Sequence, residues 1–184
     1  DRSAFAALPP RHEARSRFGL GDGPVVLFFG RLTPRKGLTL LLDAFARIAG
    51  AHPAAQVLIA GPDHGAGKPA EAHARALGLE AQVRFAGFLS GDARLAAYAA
   101  ADLFVLPAVG EGLPLAALEA LACGVPALLS PDCHLDEVAA GGAGDVVPLE
   151  ADAWAAALGR RLTAVERGDD GDARASARRL ADRY

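Results

Sequence analysis

The sequence predicts an α/β domain of three layers, a parallel sheet of about six strands with helices on both faces. Three observations predict it. Short continuous apolar runs such as Val25–Phe29, Val57–Ala60 and Leu103–Leu106 have the length and character of strands buried on both faces. Segments with apolar residues at helical spacing separate them, as in Leu41, Leu42, Phe45 and Ile48. Glycine and proline punctuate the junctions, so strand and helix alternate as in right-handed βαβ units.

Residues 1–23 are polar and interrupted by Pro9, Pro10, Gly19, Gly21 and Gly23. They read as a linker with one short helix over 11–18, ahead of a domain over 24–184. Val25–Phe29 is the first strand, followed by the turn Gly30–Gly37 and a helix over 38–49. Val57–Ala60 is the second strand, ended by Gly61-Pro62, with a glycine-containing loop over 63–68. Residues 70–77 read as a helix stopped at Gly78. Val83–Ala86 is the third strand, 92–100 a helix and Leu103–Leu106 the fourth strand. Pro114 suits the first turn of a helix over 115–123, and Gly124 its stop. Ala127–Leu129 is the fifth strand, 132–140 a short helix or loop, and 145–147 the sixth strand. Two terminal helices over 151–167 and 172–183 flank the break Gly168-Asp169-Asp170-Gly171.

The 184 residues suit one domain with a sizeable core. A net charge of −3 gives no basic surface for nucleic acid or for a membrane. No apolar run reaches the length of a spanning helix, and residues 1–19 lack the apolar centre of a signal peptide. Cys123 and Cys133 have no metal-like spacing and read as free thiols in a reducing, cytoplasmic compartment, with a bridge between them as the alternative.

In parallel sheets ligands bind beyond the C-terminal strand ends. The loops to inspect are therefore Gly30–Gly37, Gly61–Lys68, Gly87–Ser90 and Pro107–Pro114. Gly30 permits a turn and a close ligand approach, and Arg31 and Lys36 place two cations where a phosphate would lie. A solvated basic turn is the alternative. No GxGxxG or Walker A pattern is present, which disfavours a nicotinamide cofactor. Glu111 precedes a helix start, where backbone N–H groups attract anions. An ionised carboxylate only accepts hydrogen bonds, so Glu111 suits a hydroxyl-rich neutral group such as a sugar, unless it is an exposed turn residue. Glu119 is the one charged residue in the run 115–123. It stands roughly 7–8 Å along its helix, about the span of a diphosphate and a ring. Its alternatives are a solvated face or a pair with arginine.

Taken together, Gly30-Arg31-Leu32, Lys36-Gly37, Val83-Arg84-Phe85-Ala86-Gly87, Ala101-Asp102-Leu103-Phe104-Val105-Leu106-Pro107, Glu111-Gly112-Leu113-Pro114, Glu119-Ala120 and Ala122-Cys123-Gly124-Val125-Pro126 form an ordered set. With seven residues between the two glutamates, this set resembles the Rossmann-like C-terminal, donor-binding domain of the family 4 retaining glycosyltransferases of the GT-B fold. The resemblance implies a nucleoside-diphosphate sugar as donor, with no metal and no other cofactor. Arg31 and Lys36 would contact the pyrophosphate, and Glu111 the donor sugar. Gly112, Leu113 and Leu115 would present backbone N–H groups, Glu119 would hold the ribose, and Phe88 and Leu89 would line the base pocket. Gly30 and Pro114 would complete the donor contacts. Many relatives carry Phe-Gly where this chain has Leu113-Pro114, and proline removes one N–H. Asp1-Arg2-Ser3-Ala4-Phe5 resembles the start of the second GT-B half, and Ala181–Tyr184 stops where relatives continue. The resemblance therefore implies a missing N-terminal domain that binds an acceptor sugar or lipid and supplies any membrane contact. An isolated donor half is expected to bind without appreciable turnover. The alternatives are a sugar-nucleotide epimerase half, a non-catalytic nucleotide-binding module and an unrelated flavodoxin-like regulator, which lacks an acidic phosphoacceptor pattern here.

Overall fold

The computed structural model describes Phe5 and residues 8–184, so the resemblance of Asp1-Arg2-Ser3-Ala4 to a domain start lies outside the described residues. Six strands form one sheet: β1 (Val25–Phe29), β2 (Gln56–Ala60), β3 (Val83–Gly87), β4 (Leu103–Leu106), β5 (Ala127–Leu129) and β6 (Gly144–Val146). Their order is β3-β2-β1-β4-β5-β6, and every pairing is parallel. The two central strands, β1 and β4, are apolar throughout because helices cover both faces. The helices are α1 (Arg11–Arg17), α2 (Leu38–Ile48), α3 (Gly67–Ala76), α4 (Gly91–Ala100), α5 (Leu115–Ala122), α6 (Glu137–Ala140), α7 (Ala151–Arg167) and α8 (Gly171–Ala181). Packing groups α2 with α3 and α7 on one side; on the other, α1 packs on α4, α5 and α6 pack on α8, and side-chain bonds join α4 to α5. Phe28, Phe45, Tyr98, Phe104 and Trp154 are the largest fully buried side chains. None of the described helices is long and apolar enough to cross a membrane.

The three-layer parallel architecture matches the expectation, with boundaries moved by a residue or two. Three local readings change. First, α3 begins at Gly67, inside the loop expected over 63–68. The Asp63 carboxylate accepts the amides of Gly65 at 2.9 Å and Gly67 at 2.8 Å. The Gly67 bond satisfies one of the donors that a helix start leaves unpaired, and the Gly65 bond shapes the turn before it. Those bonds, the one from Gly67 foremost, hold the Asp63 carboxyl below the usual carboxylate range. Second, the stretch over 132–140 is both a turn and a helix, a 3-10 turn at Pro131–Cys133 followed by α6.

Third, the N-terminal segment contributes to the fold as well as linking. Helix α1 packs on α4, burying Ala14. Arg15 is buried too, and donates to Asp102 at 2.7 Å and to the Ala100 carbonyl at 3.2 Å. Arg11 also pairs with Asp102. Arg174 of α8 approaches the same carboxylate at 3.7 Å, so one buried aspartate ties both flanking helices to the base of the sheet.

Cys123 and Cys133 are free and buried. Burial, helped by Glu119, pushes the Cys123 thiol up to about 12, and burial raises Cys133 as well. Alkylation proceeds through the thiolate. Native chain treated with iodoacetamide at pH 8 is therefore expected to stay unmodified over the time in which urea-unfolded chain takes two labels by mass. Rapid labelling of folded chain would contradict this burial.

Candidate functional site

The strand order reverses between β1 and β4, so the loops after these strands diverge from a single crevice. Leu32 of the β1 loop is buried and bridges to Asp63, which fastens that loop to the one after β2. Residues Pro34–Lys36 form a 3-10 turn that ends at Gly37 with φ 72°. A Cβ at Gly37 would lie 2.0 Å from the Pro107 carbonyl oxygen. Only glycine allows the β1 and β4 loops to approach this closely with that backbone.

The two loops are then joined by polar contacts. The Val109 amide donates to the Arg35 carbonyl at 2.7 Å. The Arg35 guanidinium returns hydrogen bonds to the carbonyls of Val109 and Gly110, both at 3.3 Å. Lys36 forms an ion pair with Glu111, each side chain under one-fifth exposed. From the other side, Asp132 after β5 accepts the Gly110 amide on its carboxylate at 2.9 Å and the Glu111 amide on its carbonyl at 3.1 Å. Glu111 is thus a paired, largely covered carboxylate between two loops, not an exposed turn residue. Lys36, expected to face phosphate, is paired with the residue expected to face sugar. Arg31, the other expected cation, is exposed at the start of the same β1 loop.

The segment after Glu111 makes a tight turn before α5. Pro114 has φ −80° and ψ 69°, and the Leu115 amide donates to the Leu113 carbonyl at 2.9 Å. This is an inverse γ-turn. It corrects the expectation that Leu115 offers its N–H to a ligand, because that donor is already used. It also moves Pro114 from the first helical turn to the cap, where its carbonyl accepts the Ala117 amide at 2.8 Å. The amides of Gly112 and Leu113 have no intrachain acceptor among the described residues.

Glu119 lies on the partly exposed face of α5, whose other side buries Ala117, Ala120 and Leu121. Its neighbours come from α4. Arg94 donates to one carboxylate oxygen at 3.0 Å and the Tyr98 hydroxyl to the other at 2.7 Å. The pairing with arginine that was one alternative for Glu119 is therefore present, and a buried tyrosine is added to it. A hollow of about 200 Å³ opens beside Glu119, walled by Phe5, Leu115, Leu118, Ala122 and Tyr184.

Phe88 and Leu89 form the loop that leads into α4, the helix that carries Arg94 and Tyr98. Phe88 is 70% exposed, and Val109, Leu113 and Leu115 are exposed as well. All four lie beyond the C-terminal ends of strands, Phe88 after β3 and the other three after β4. The structure brings Lys36, Glu111 and the Gly112-Leu113 amides together at the crevice, while Phe88 and Leu89 stand at the sheet edge. Arg35, Asp132, Arg94 and Tyr98 are not among the site residues the sequence suggests, because the groups that give each of them a role lie on other segments of the chain.

The family described as glycosyl transferases group 1 matches residues 10–170. The chain belongs to this family. The match takes in α1, in agreement with the packing of that helix. This glycosyltransferase domain is 39% identical over 135 residues to the D-inositol 3-phosphate glycosyltransferase of Salinispora arenicola, covering 68% of this chain and 29% of that protein. It is 34% identical over 180 residues to the GDP-mannose-dependent alpha-(1-6)-phosphatidylinositol monomannoside mannosyltransferase of Mycolicibacterium smegmatis, covering 88% of this chain and 45% of that one. Its fold is similar to that of Anabaena Alr3699/HepE, solved in complex with UDP-glucose, with a TM-score of 0.78 and 26% identity over 100% of this chain and 49% of the other. The chain spans less than half the length of each of these three proteins.

Proposed function

We propose that this chain is the donor half of a retaining, metal-independent glycosyltransferase, which binds a nucleoside-diphosphate sugar and transfers the sugar to an acceptor held by a preceding domain. The observation that carries the reading is the pairing of Lys36 with Glu111 at the switch point, with Glu119 farther along α5. A cation beside one carboxylate, with a second carboxylate beyond it, answers the sequence of groups in such a donor: sugar, diphosphate, ribose. Arg31 and Lys36 offset the charge that grows on the departing diphosphate. Glu111 accepts from the donor sugar's hydroxyls, and the amides of Gly112 and Leu113 donate to sugar or phosphate oxygens. Glu119 takes the ribose, and Phe88 with Leu89 the base. The Salinispora and Mycolicibacterium relatives named as glycosyltransferases, and the Anabaena structure with UDP-glucose, support the same class.

Calorimetry of UDP-, GDP- and ADP-sugars against the chain tests this reading. One nucleotide series is expected to bind. Glu111→Ala is expected to weaken the nucleotide sugar about tenfold, the loss of a hydrogen bond to a charged acceptor, while leaving the free nucleoside diphosphate nearly unchanged. Equal, negligible binding of all three series would remove the donor-site reading. Indifference to Glu111→Ala would favour a nucleotide module blind to the sugar. Transferase turnover by this chain alone would sink the two-domain part.

A further inference from the structure

Glu119 is gripped from two directions by one helix. Arg94 occupies one oxygen and Tyr98 the other, both from α4. An ionised carboxylate has about four acceptor positions, two on each oxygen. One donor per oxygen therefore leaves one position free on each, and the side chain remains 23% exposed. A vicinal diol offers two adjacent O–H donors, which matches that pattern.

The grip is rigid. Tyr98 is fully buried, with the Phe29 ring 5.4 Å and the Phe5 ring 6.3 Å from its own. Burial and the neighbouring Glu119 raise the Tyr98 hydroxyl well above its ordinary value, so at neutral pH it can only be an O–H donor here. Arg94 is itself held over the Phe5 ring, 5.4 Å from its centre. An ion pair serving stability alone needs only Arg94, and a pair this exposed stabilises little. The hydroxyl reaching from the core to the second oxygen satisfies a buried donor, and it also fixes rotation of the carboxylate about its own axis, which sets the direction in which a ligand meets its remaining acceptor positions.

We propose that Tyr98 and Arg94 are positioning residues that set Glu119 as a two-point acceptor for a vicinal diol, and so make the chain select ribonucleotides over 2′-deoxyribonucleotides. The inference rests on the nucleotide-binding reading above. Without the tyrosine hydroxyl the carboxylate turns toward Arg94, and one of its two outward positions is lost to the ligand. Without Arg94 the opposite oxygen is released.

Calorimetry with GDP against 2′-deoxy-GDP, and UDP against 2′-deoxy-UDP, reads this directly. For the base that binds, the native chain is expected to prefer the ribonucleotide by about tenfold or more. Tyr98→Phe and Arg94→Met are each expected to shrink that preference to within about threefold, with affinity for the deoxynucleotide kept. Glu119→Ala is expected to abolish the preference, and adding Tyr98→Phe to it to cost nothing further. Arg94 has a side chain 35% exposed, so Arg94→Met carries the test if Tyr98→Phe fails to fold. A native chain that binds both sugars alike overturns the proposal, as does a variant that keeps the full preference. Equal loss of both nucleotides in a variant assigns the pair a structural role and also overturns it. In all three cases the nucleotide-binding reading stands. Absence of any nucleotide binding by the native chain removes both.

Discussion

Replacing Asp102 by alanine is expected to lower the free energy of unfolding by about 3–5 kcal/mol, among the largest effects available to a single substitution in this chain. The Asp102 side chain is 1% exposed. One oxygen accepts the Val25 amide at 2.8 Å and the Arg15 guanidinium at 2.7 Å, while Arg11 and Arg174 approach the other. Burial already lowers Arg11 to about 10, with Arg15 and Arg174 adding to the effect, and burial is also the main cause of a lowered Arg15. Removing the carboxylate leaves three clustered cations, one of them buried, with a buried amide unpaired. Helices α1 and α8 lose their shared anchor together. Urea denaturation checks the magnitude, and the midpoint of thermal unfolding is expected to fall by about 6–20 °C for a chain of this size. Asp102→Asn, which keeps an acceptor for Val25 but not the charge, is expected to lie between. An alanine variant within about 1 kcal/mol of the native chain would show that this cluster contributes little.

The second large effect belongs to the functional edge. Gly37→Ala is expected to cost about 2–4 kcal/mol, from left-handed backbone together with overpacking against a neighbouring loop. Its backbone sits at φ 72°, and a Cβ there would lie 2.0 Å from the Pro107 carbonyl oxygen. Backbone cannot yield as a side chain does, so the β1 and β4 loops must separate. That separation pulls Lys36 from Glu111 and Arg35 from Val109 and Gly110. The variant is accordingly expected to lose nucleotide-sugar binding even under conditions where it remains folded. Gly50→Ala is the control: that glycine meets nothing within 4 Å, and its stability is expected to change by less than about 1 kcal/mol. Equal behaviour of the two variants would show that the loops do not depend on this contact.

Much of the fold was legible because its signals are local. A run such as Val25–Phe29 reports burial on both faces through its composition, and the helical spacing of Leu41, Leu42 and Phe45 reports a covered face. The boundary that moved most, the start of α3, depended on Asp63 capping backbone amides, which periodicity does not express. The candidate site was legible in part. Glu111 and Glu119 stand out as carboxylates in glycine-rich and apolar surroundings, and Arg31 and Lys36 as cations after a first strand. Their partners were not legible. Lys36 and Glu111 lie 75 positions apart, and nothing in either loop names the other. Tyr98 reads as core from its helical position, and only its meeting with Glu119, 21 positions later, gives its hydroxyl a role.

The chain's own order of residues determined a parallel three-layer α/β domain, the loops where a ligand would bind and the chemical types placed there. Those properties follow from spacing, composition and backbone preference within a few residues. The tertiary structure alone decided which strands are neighbours and hence that the β1 and β4 loops share a crevice. It also decided that Glu111 is held by Lys36 and Asp132, that Glu119 is gripped by Arg94 and Tyr98, and that Asp102 anchors α1 and α8. The reason is physical: a charged group's state depends on what surrounds it in space, and those surroundings are assembled from segments tens of residues apart.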